Sequence, residues 1–329
     1  MRMDAAVVAV SLALPAFLSA AEDAPPAPGR MVDVGGHSLH IRCTGRGAPT
    51  VVVESGLGDV STDWTLVQTR VAEFARVCTY DRAGYAWSEP GPKPRTFAQI
   101  NAELRRALAA AGEKGPFVLV GHSCGGPVVR AYAGTYPDDV AGMVLVDAVH
   151  EDQRVTAMGK AVRLRDGAKG LAIPPPRLEM RPDEKARAAT PAPAAKGPVS
   201  PPLDRLPEDA RRAHLWAIAQ PELDATETSQ REWSTEYFAR WHEKPQTGLL
   251  GKKPLVVLTR KSGGYRDLDI PAAQIEAERL ASQKALLVLS ANSRQIVLDS
   301  GHNMHLEAPD DVAAAIRSVV TEARGDKAH

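Results

Sequence analysis

The sequence predicts an α/β fold built around a mostly parallel sheet. Short apolar strand candidates alternate with helical stretches from residue 31 to residue 147, one of these strands is apolar throughout, and the alternation returns near residue 253. Strands that alternate with helices are typical of βαβ units, in which a helix connects two parallel strands. The length of 329 residues suits one such domain with an insertion.

The strand candidates of the first half are short and apolar. The strand Phe117–Val120 is apolar at every position, which is typical of a strand buried on both faces. Met31–Val34 and Leu39–Cys43 flank Gly35-Gly36, which predicts an antiparallel hairpin at one edge of the sheet. The other strand candidates are Thr50–Glu54, Arg76–Tyr80 and Met143–Val146, and the helix candidates are Thr62–Ala75, Phe97–Ala111 and Gly126–Tyr136.

The alternating pattern breaks after Asp147. Residues 172–202 are so rich in Pro that no regular element is expected there, whereas residues 206–243 show a helical pattern. The strand–helix alternation then returns and ends with the strand Gln295–Leu298 and the helix Pro309–Arg324. We therefore predict a core over residues 31–148 and 253–325, with an insertion over residues 149–252.

The N-terminus has the features of a cleaved export signal. An apolar run over residues 5–18 is followed by the small residues Ser19 and Ala21, which fit cleavage after Ala21. The run is shorter than the roughly 20 residues that span a bilayer. We predict a signal peptide over residues 1–21, a Pro-rich tether over residues 22–30, and a periplasmic or secreted chain without stable membrane insertion after cleavage. An uncleaved anchor or a buried helix is the alternative.

Charge and cysteine content exclude several kinds of partner. The 40 Lys and Arg residues balance 40 Asp and Glu residues, so no overall basic field attracts nucleic acid. Three cysteines are too few for a disulfide scaffold and badly spaced for a zinc site. Cys43 and Cys78 lie in strand candidates and would be able to pair in an oxidising compartment, but two separate buried thiols fit the sequence as well.

The segment Gly121-His122-Ser123-Cys124-Gly125 carries the first chemical signal. It is a G-x-S-x-G motif between a buried strand and a helix, where a sharp turn lifts the Ser hydroxyl above the sheet. The glycines leave room for the neighbouring strand and helix, and the free N–H groups of the helix N-terminus face developing negative charge. We predict that Ser123 is a nucleophile; an ordinary tight turn is the alternative.

His302 is the candidate base. It follows the last predicted strand and stands 179 residues after Ser123. A His side chain has a suitable pKa to take the Ser proton and return it to a leaving group. His305 lacks a third ligand in register for a metal pair with His302, and His122 and His150 are expected to pack or line the pocket.

Five motifs in this order resemble the α/β-hydrolase superfamily. They are Glu54–Gly58, Tyr80–Tyr85, Gly121–Gly125, Val144–Asp147 and Ser300–His302. The resemblance covers about residues 31–150 and 253–325. It implies an eight-stranded, mostly parallel sheet with helices on both faces, no cofactor and no metal. It also implies that the insertion, residues 149–252, is a helical and Pro-rich cap between the sixth and seventh strands.

The resemblance also implies an oxyanion hole, with one departure from the common pattern. Ser55-Gly56 stands where His-Gly is usual in the family. Because the donors are backbone N–H groups, this change is tolerable, and we assign them to Leu57 and Cys124. Asp81 and Arg82 are expected to have a structural role in their own turn.

A second departure concerns the acid of the triad. Its usual position after the seventh strand, residues 259–265, contains no carboxylate. Other family members place the acid after the sixth strand, where Asp147 stands, and we favour Asp147. Asp269 and Asp267 remain alternatives, and a loop or capping role is the alternative for Asp147. The acid would hold the tautomer of His302 and stabilise its imidazolium.

These residues predict a cofactor-free serine hydrolase that acts on a small-molecule ester or related acyl substrate through an acyl-enzyme. Perhydrolysis of the haloperoxidase type would use the same triad, and a non-catalytic binding module on this fold is a third hypothesis. A dehalogenase or epoxide hydrolase is disfavoured, because those enzymes have Asp at the position of Ser123. The aromatic residues that could line an acyl pocket or form the core of the cap are Trp216, Trp233, Tyr237, Phe238 and Trp241.

Overall fold

The protein is described by a computed structural model that covers residues 24–157, 159–181 and 199–325. Its strands are β1 (Arg30–Asp33), β2 (Ser38–Thr44), β3 (Val51–Glu54), β4 (Val77–Tyr80), β5 (Phe117–His122), β6 (Val140–Val146), β7 (Arg154–Ala157), β8 (Lys160–Arg163), β9 (Leu255–Arg260) and β10 (Ser293–Leu298). Its α-helices are α1 (Thr65–Val71), α2 (Phe97–Ala110), α3 (Gly125–Thr135), α4 (Glu208–Ile218), α5 (Pro221–Glu243), α6 (Ala272–Ala285), α7 (Met304–Glu307) and α8 (Pro309–Arg324).

A large sheet of eight strands forms the centre of the molecule, in the order β1-β2-β4-β3-β5-β6-β9-β10. Strand β2 runs antiparallel to β1 and β4, and the remaining neighbours are parallel. The predicted α/β fold and the predicted hairpin at one edge are therefore confirmed. Gly35 and Gly36 connect the hairpin with φ angles of +106° and +142°, which glycine adopts without steric cost.

Helices cover both faces of this sheet. Along β3, Val51 and Val53 are buried on one face and Val52 on the other, because successive side chains of a strand point to opposite faces. One apolar layer contains α1 and α8, and the other contains α2 and α3. The predicted helix over Thr62–Ala75 is shorter in the structure, because a 3₁₀ turn over Ser61–Trp64 precedes α1 and the helix ends at Val71.

The insertion between β6 and β9 contains the predicted helices, α4 and α5, and also a β7–β8 hairpin that the sequence pattern did not predict. This hairpin was missed because each of its strands carries only one large apolar residue, Val155 or Val162. Residues 172–181 form neither helix nor strand, as expected, and residues 182–198 lie outside the described part of the chain.

The aromatic residues of the insertion pack mainly against the core domain. The Tyr237 ring lies 4.4 Å from the Phe97 ring between centroids, and its hydroxyl accepts the Ala98 N–H at 2.9 Å. Trp216 packs in another cluster with Tyr85. These contacts place α4 and α5 on the domain that carries the predicted site.

The N-terminal predictions fall mostly outside the described residues. The predicted signal peptide, residues 1–21, is not covered and stays a prediction. Within the predicted tether, Pro25 accepts a hydrogen bond from the Trp87 indole at 2.7 Å, so this part lies against the domain. Among the described residues no helix has the length and apolar character needed to cross a bilayer.

Cys43 and Cys78 are joined in a disulfide. They face each other on the antiparallel strands β2 and β4, so the register of the sheet brings the two side chains together. Of the two alternatives that the sequence left open, the structure has the disulfide and not two separate buried thiols. Cys124 is free.

Replacing both bonded cysteines, in a Cys43→Ala/Cys78→Ala variant, is expected to lower the free energy of unfolding by ~2–4 kcal/mol. The reason is that a crosslink across 35 residues restricts the unfolded chain. Urea unfolding with and without reductant measures this loss. Reductant should destabilise the wild type and leave the variant unchanged; equal stability of the oxidised wild type and the variant would contradict the prediction.

Candidate active site

Ser123 lies at the sharp turn between β5 and α3. Its φ of +50° is in the left-handed region, where a residue with a Cβ atom is strained unless the surroundings hold it. A Cβ atom at Gly121 would lie 2.7 Å from Val129 Cγ2, and one at Gly125 would collide with the carbonyl groups of Glu54 and Ser55. The absence of side chains at these two glycines therefore lets the turn pack tightly enough to present Ser123.

The loop after β10 brings His302 to Ser123. The His302 Nε2 atom lies 3.0 Å from Ser123 Oγ, and its Nδ1 atom lies 2.6 Å from Asp147 Oδ2. Asp147 follows β6, is buried and has a φ of +41°. The structure thus joins the three residues in one hydrogen-bonded series, with the His302 side chain 40% exposed at its centre.

The alternative acids make other contacts. Asp267 accepts the N–H of Ala272 at 2.8 Å, and Asp269 accepts the N–H of Ala161 at 2.9 Å. Within the described residues neither carboxylate is bonded to His302. The structure brings Asp147, and not these two residues, to the base.

Two arginines that the sequence analysis missed surround Asp147. Arg260 Nη1 lies 3.2 Å from Asp147 Oδ2, and Arg279 Nη1 lies 3.4 Å from Oδ1. Burial by itself would raise the pKa of Asp147, but the hydrogen bond to His302 and the two guanidinium groups hold that pKa below its usual value. The carboxylate therefore stays ionised at neutral pH. No local motif marks Arg279, which lies in the middle of α6.

His122 connects the turn of Ser123 to the loop of His302. Its Nδ1 lies 2.9 Å from Asp59 Oδ2, and its Nε2 lies 3.1 Å from the carbonyl oxygen of His302. Burial opposes a charge on this ring, yet the hydrogen bond and the charge of Asp59, together with the carbonyl group of His302, outweigh it and raise the pKa of His122. Since both ring nitrogens face acceptors, His122 bridges Asp59 and the His302 backbone. The prediction that it merely packs or lines the pocket understated its role.

His305 has a different environment. Its ring stacks on Trp64 with 4.8 Å between centroids, and burial together with the nearby His122 lowers its pKa to about 3. His305 is therefore neutral and belongs to the packing beneath the site.

The two predicted oxyanion donors lie on adjoining segments. Leu57 is in the turn after β3, and Cys124 follows Ser123, where the tight contact at Gly125 brings the two segments together. Among the described residues, the backbone N–H groups of Leu57 and Cys124 have no hydrogen-bond acceptor. Burial raises the pKa of the Cys124 thiol, so this side chain stays protonated and is a poor nucleophile.

Comparison with known proteins identifies the family to which this fold belongs. A model of the alpha/beta hydrolase family matches residues 51–315. The chain belongs to this family. As an alpha/beta hydrolase it shares its fold with a thermophilic esterase from Thermogutta terrifontis, with a TM-score of 0.59 and 19% identity over 89% of this chain and 98% of the other.

A meta-cleavage product hydrolase from Pseudomonas fluorescens IP01 is similar to this alpha/beta hydrolase with a TM-score of 0.60 and 18% identity, over 90% of this chain and 98% of the other. The probable transporter efuK from Hormonema carpetanum is 33% identical over 129 residues, which are 37% of this chain and 18% of that protein. The chain spans less than half of the length of this relative and of the other first curated relatives that it matches.

The packing of the turn gives a test of stability. Gly121→Ala is expected to lower the free energy of unfolding by about 1–3 kcal/mol, because its Cβ atom would overlap Val129 and the backbone of α3. Gly134→Ala, in the helix α3 that Gly121 packs against, is the control: the nearest atom to its Cβ would be Leu249 Cδ1 at 3.6 Å. This control should be neutral or slightly stabilising. Chemical denaturation measures the free energy of unfolding of the two variants. Equal values for Gly121→Ala and Gly134→Ala would contradict the prediction.

Proposed function

We propose that this alpha/beta hydrolase cleaves ester or related acyl bonds through an acyl-enzyme formed on Ser123. The observation that carries the proposal is the hydrogen-bonded series Asp147–His302–Ser123, with distances of 2.6 Å and 3.0 Å. A nucleophile, a base within hydrogen-bond reach and a third group that orients the base are the components that acyl transfer requires. The two unpaired N–H groups beside Ser123 add a place for negative charge.

In the first half of the reaction, Ser123 Oγ attacks the substrate carbonyl carbon as its proton passes to His302 Nε2. The N–H groups of Leu57 and Cys124 donate to the oxyanion that forms on the carbonyl oxygen. His302 then protonates the leaving oxygen, and the alcohol departs. In the second half, His302 takes a proton from water, which attacks the acyl group and releases the acid with Ser123 restored.

Asp147 keeps His302 in the tautomer that these reaction steps need. Its Oδ2 accepts the Nδ1 proton, so Nε2 of the neutral ring is free to accept the Ser123 proton. When the imidazolium forms, the ionised carboxylate stabilises it. The arginines beside Asp147 keep the carboxylate ionised and stop it from taking the proton itself.

The helix α5 of the insertion lies beside the turn that carries Leu57. Gln230 of α5 accepts a hydrogen bond from Arg82 at 3.4 Å, and Arg82 also bonds the backbone of Gly56 in the turn that precedes Leu57.

Ser123→Ala is expected to abolish labelling by a fluorophosphonate and to lower p-nitrophenyl acetate hydrolysis at least ~10³-fold, because the nucleophile is removed. Ser234→Ala, a serine of α5 that donates to the Arg231 carbonyl, is the control and should label like the wild type. In-gel fluorescence of folded protein provides the measurement. A wild type that folds and does not label would refute the proposed function.

Asp147→Asn is expected to lower kcat by about 10³–10⁴-fold, since an amide favours the wrong tautomer of His302 and cannot stabilise its charged form. Asp267→Asn and Asp269→Asn are matched controls, because their carboxylates bond backbone N–H groups elsewhere. Both should keep kcat within a few-fold of the wild type. Steady-state kinetics of the three variants on one ester measure these kcat values. A large loss of kcat in Asp269→Asn alone would assign the acid of the triad to Asp269.

A further inference from the structure

Arg82 and Glu54 form a buried ion pair beneath the turn that carries Leu57. Their side chains are 3% and 0% exposed, and Arg82 Nε donates to Glu54 Oε1 at 2.6 Å. The other carboxylate oxygen accepts the Tyr80 hydroxyl at 2.5 Å. Glu54 is thereby held at both oxygens, and it fixes the direction in which the remaining N–H groups of the guanidinium point.

These remaining groups bind the turn itself. Arg82 Nη2 donates to the carbonyl of Ser55, and Nη1 donates to the carbonyl of Gly56 at 3.1 Å. Two consecutive carbonyl groups of the turn are therefore held by one planar side chain. The fork geometry of a guanidinium allows this, because its donors diverge from a rigid plane.

Holding a carbonyl group also sets the direction of the next N–H group. In a trans peptide, the C=O of one residue and the N–H of the following residue lie in one plane and point to opposite sides. The Gly56–Leu57 peptide is trans, and its C=O points at Arg82. The N–H of Leu57 must therefore point away from Arg82.

The N–H side of the turn faces His122, the residue before Ser123. The N–H of Gly56 donates to Asp59 Oδ2 at 3.0 Å, and the same oxygen lies 2.9 Å from Nδ1 of His122, the residue before Ser123. A Cβ atom at Gly56 would lie 2.9 Å from that His122 nitrogen. The turn is thus held between Arg82 on its carbonyl side and Asp59 on its N–H side, and the Leu57 N–H has no hydrogen-bond acceptor among the described residues.

We propose that Arg82 is a positioning residue that directs the Leu57 N–H toward the oxyanion of the acyl-transfer transition state. This inference rests on the proposed function. It goes beyond the structural role in its own turn that the sequence suggested for Arg82. It also accounts for the buried charge pair: apolar residues of similar size would fill the space without the cost of desolvating two charges, but they would leave two turn carbonyls without donors.

The test compares Arg82→Lys with Arg95→Lys. A lysine keeps the charge beside Glu54, but a single ammonium group cannot replace the forked contacts to the carbonyls of Ser55 and Gly56. Arg95 is the matched control, because its side chain is 1% exposed and forms an equivalent buried pair with Glu103, with contacts of 2.7 Å and 2.5 Å. It makes no hydrogen bond to the turn among the described residues.

Arg82→Lys is expected to lower kcat about 10–100-fold while KM changes less than about threefold, because a displaced oxyanion donor affects the transition state and not substrate binding. The inhibition constant of a trifluoromethyl ketone, whose hemiketal oxygen would occupy the oxyanion hole, should rise by the same factor. Arg95→Lys should keep the kcat and inhibition constant of the wild type even if its melting temperature falls.

The outcomes separate the inference from the function on which it rests. Wild-type hydrolysis and fluorophosphonate labelling are measured first, and their absence overturns both. With an active wild type, an Arg82→Lys variant whose kcat matches that of Arg95→Lys overturns the inference alone. If Arg82→Lys does not fold, the Glu54→Gln/Arg82→Met variant removes both charges; a reduced kcat with unchanged KM then supports the inference, and an unchanged kcat overturns it.

Discussion

The close approach of α3 to the sheet is the constraint on which the site depends. At Gly125 the helix backbone lies against the carbonyl groups of Glu54 and Ser55, with no room for a side chain between them. This contact holds Ser123 in a left-handed conformation and places the turn after β3 beside it. Ser123 and Leu57 come from segments about 66 residues apart in the chain, so only such packing can hold both within contact distance of one substrate carbonyl.

Buried charges then connect the loops around Ser123. Arg260 and Arg279 hold Asp147, and Asp59 holds both the N–H of Gly56 and the ring of His122. Pairs of this kind cost desolvation energy, so they are weak sources of stability. Their effect is on direction, because each pair orients a side chain or a loop around Ser123.

The insertion packs against the core domain beside the turn after β3. Tyr237 and Phe238 of α5 pack against α2, and Gln230 of α5 accepts a hydrogen bond from Arg82. The same guanidinium thus contacts the core domain and the insertion.

Much of the fold and part of the site follow from the sequence alone. Apolar periodicity determined most of the strands and helices, and the glycines around Ser123 determined the turn, because both signals are local. The acid was not determined, since Asp147, Asp267 and Asp269 all follow strands or precede helices in the same part of the fold. The disulfide pairing and the contacts of Arg82 with the turn after β3 were likewise decided only by the tertiary structure. Each depends on the register and packing of segments far apart in the chain, which no local pattern records.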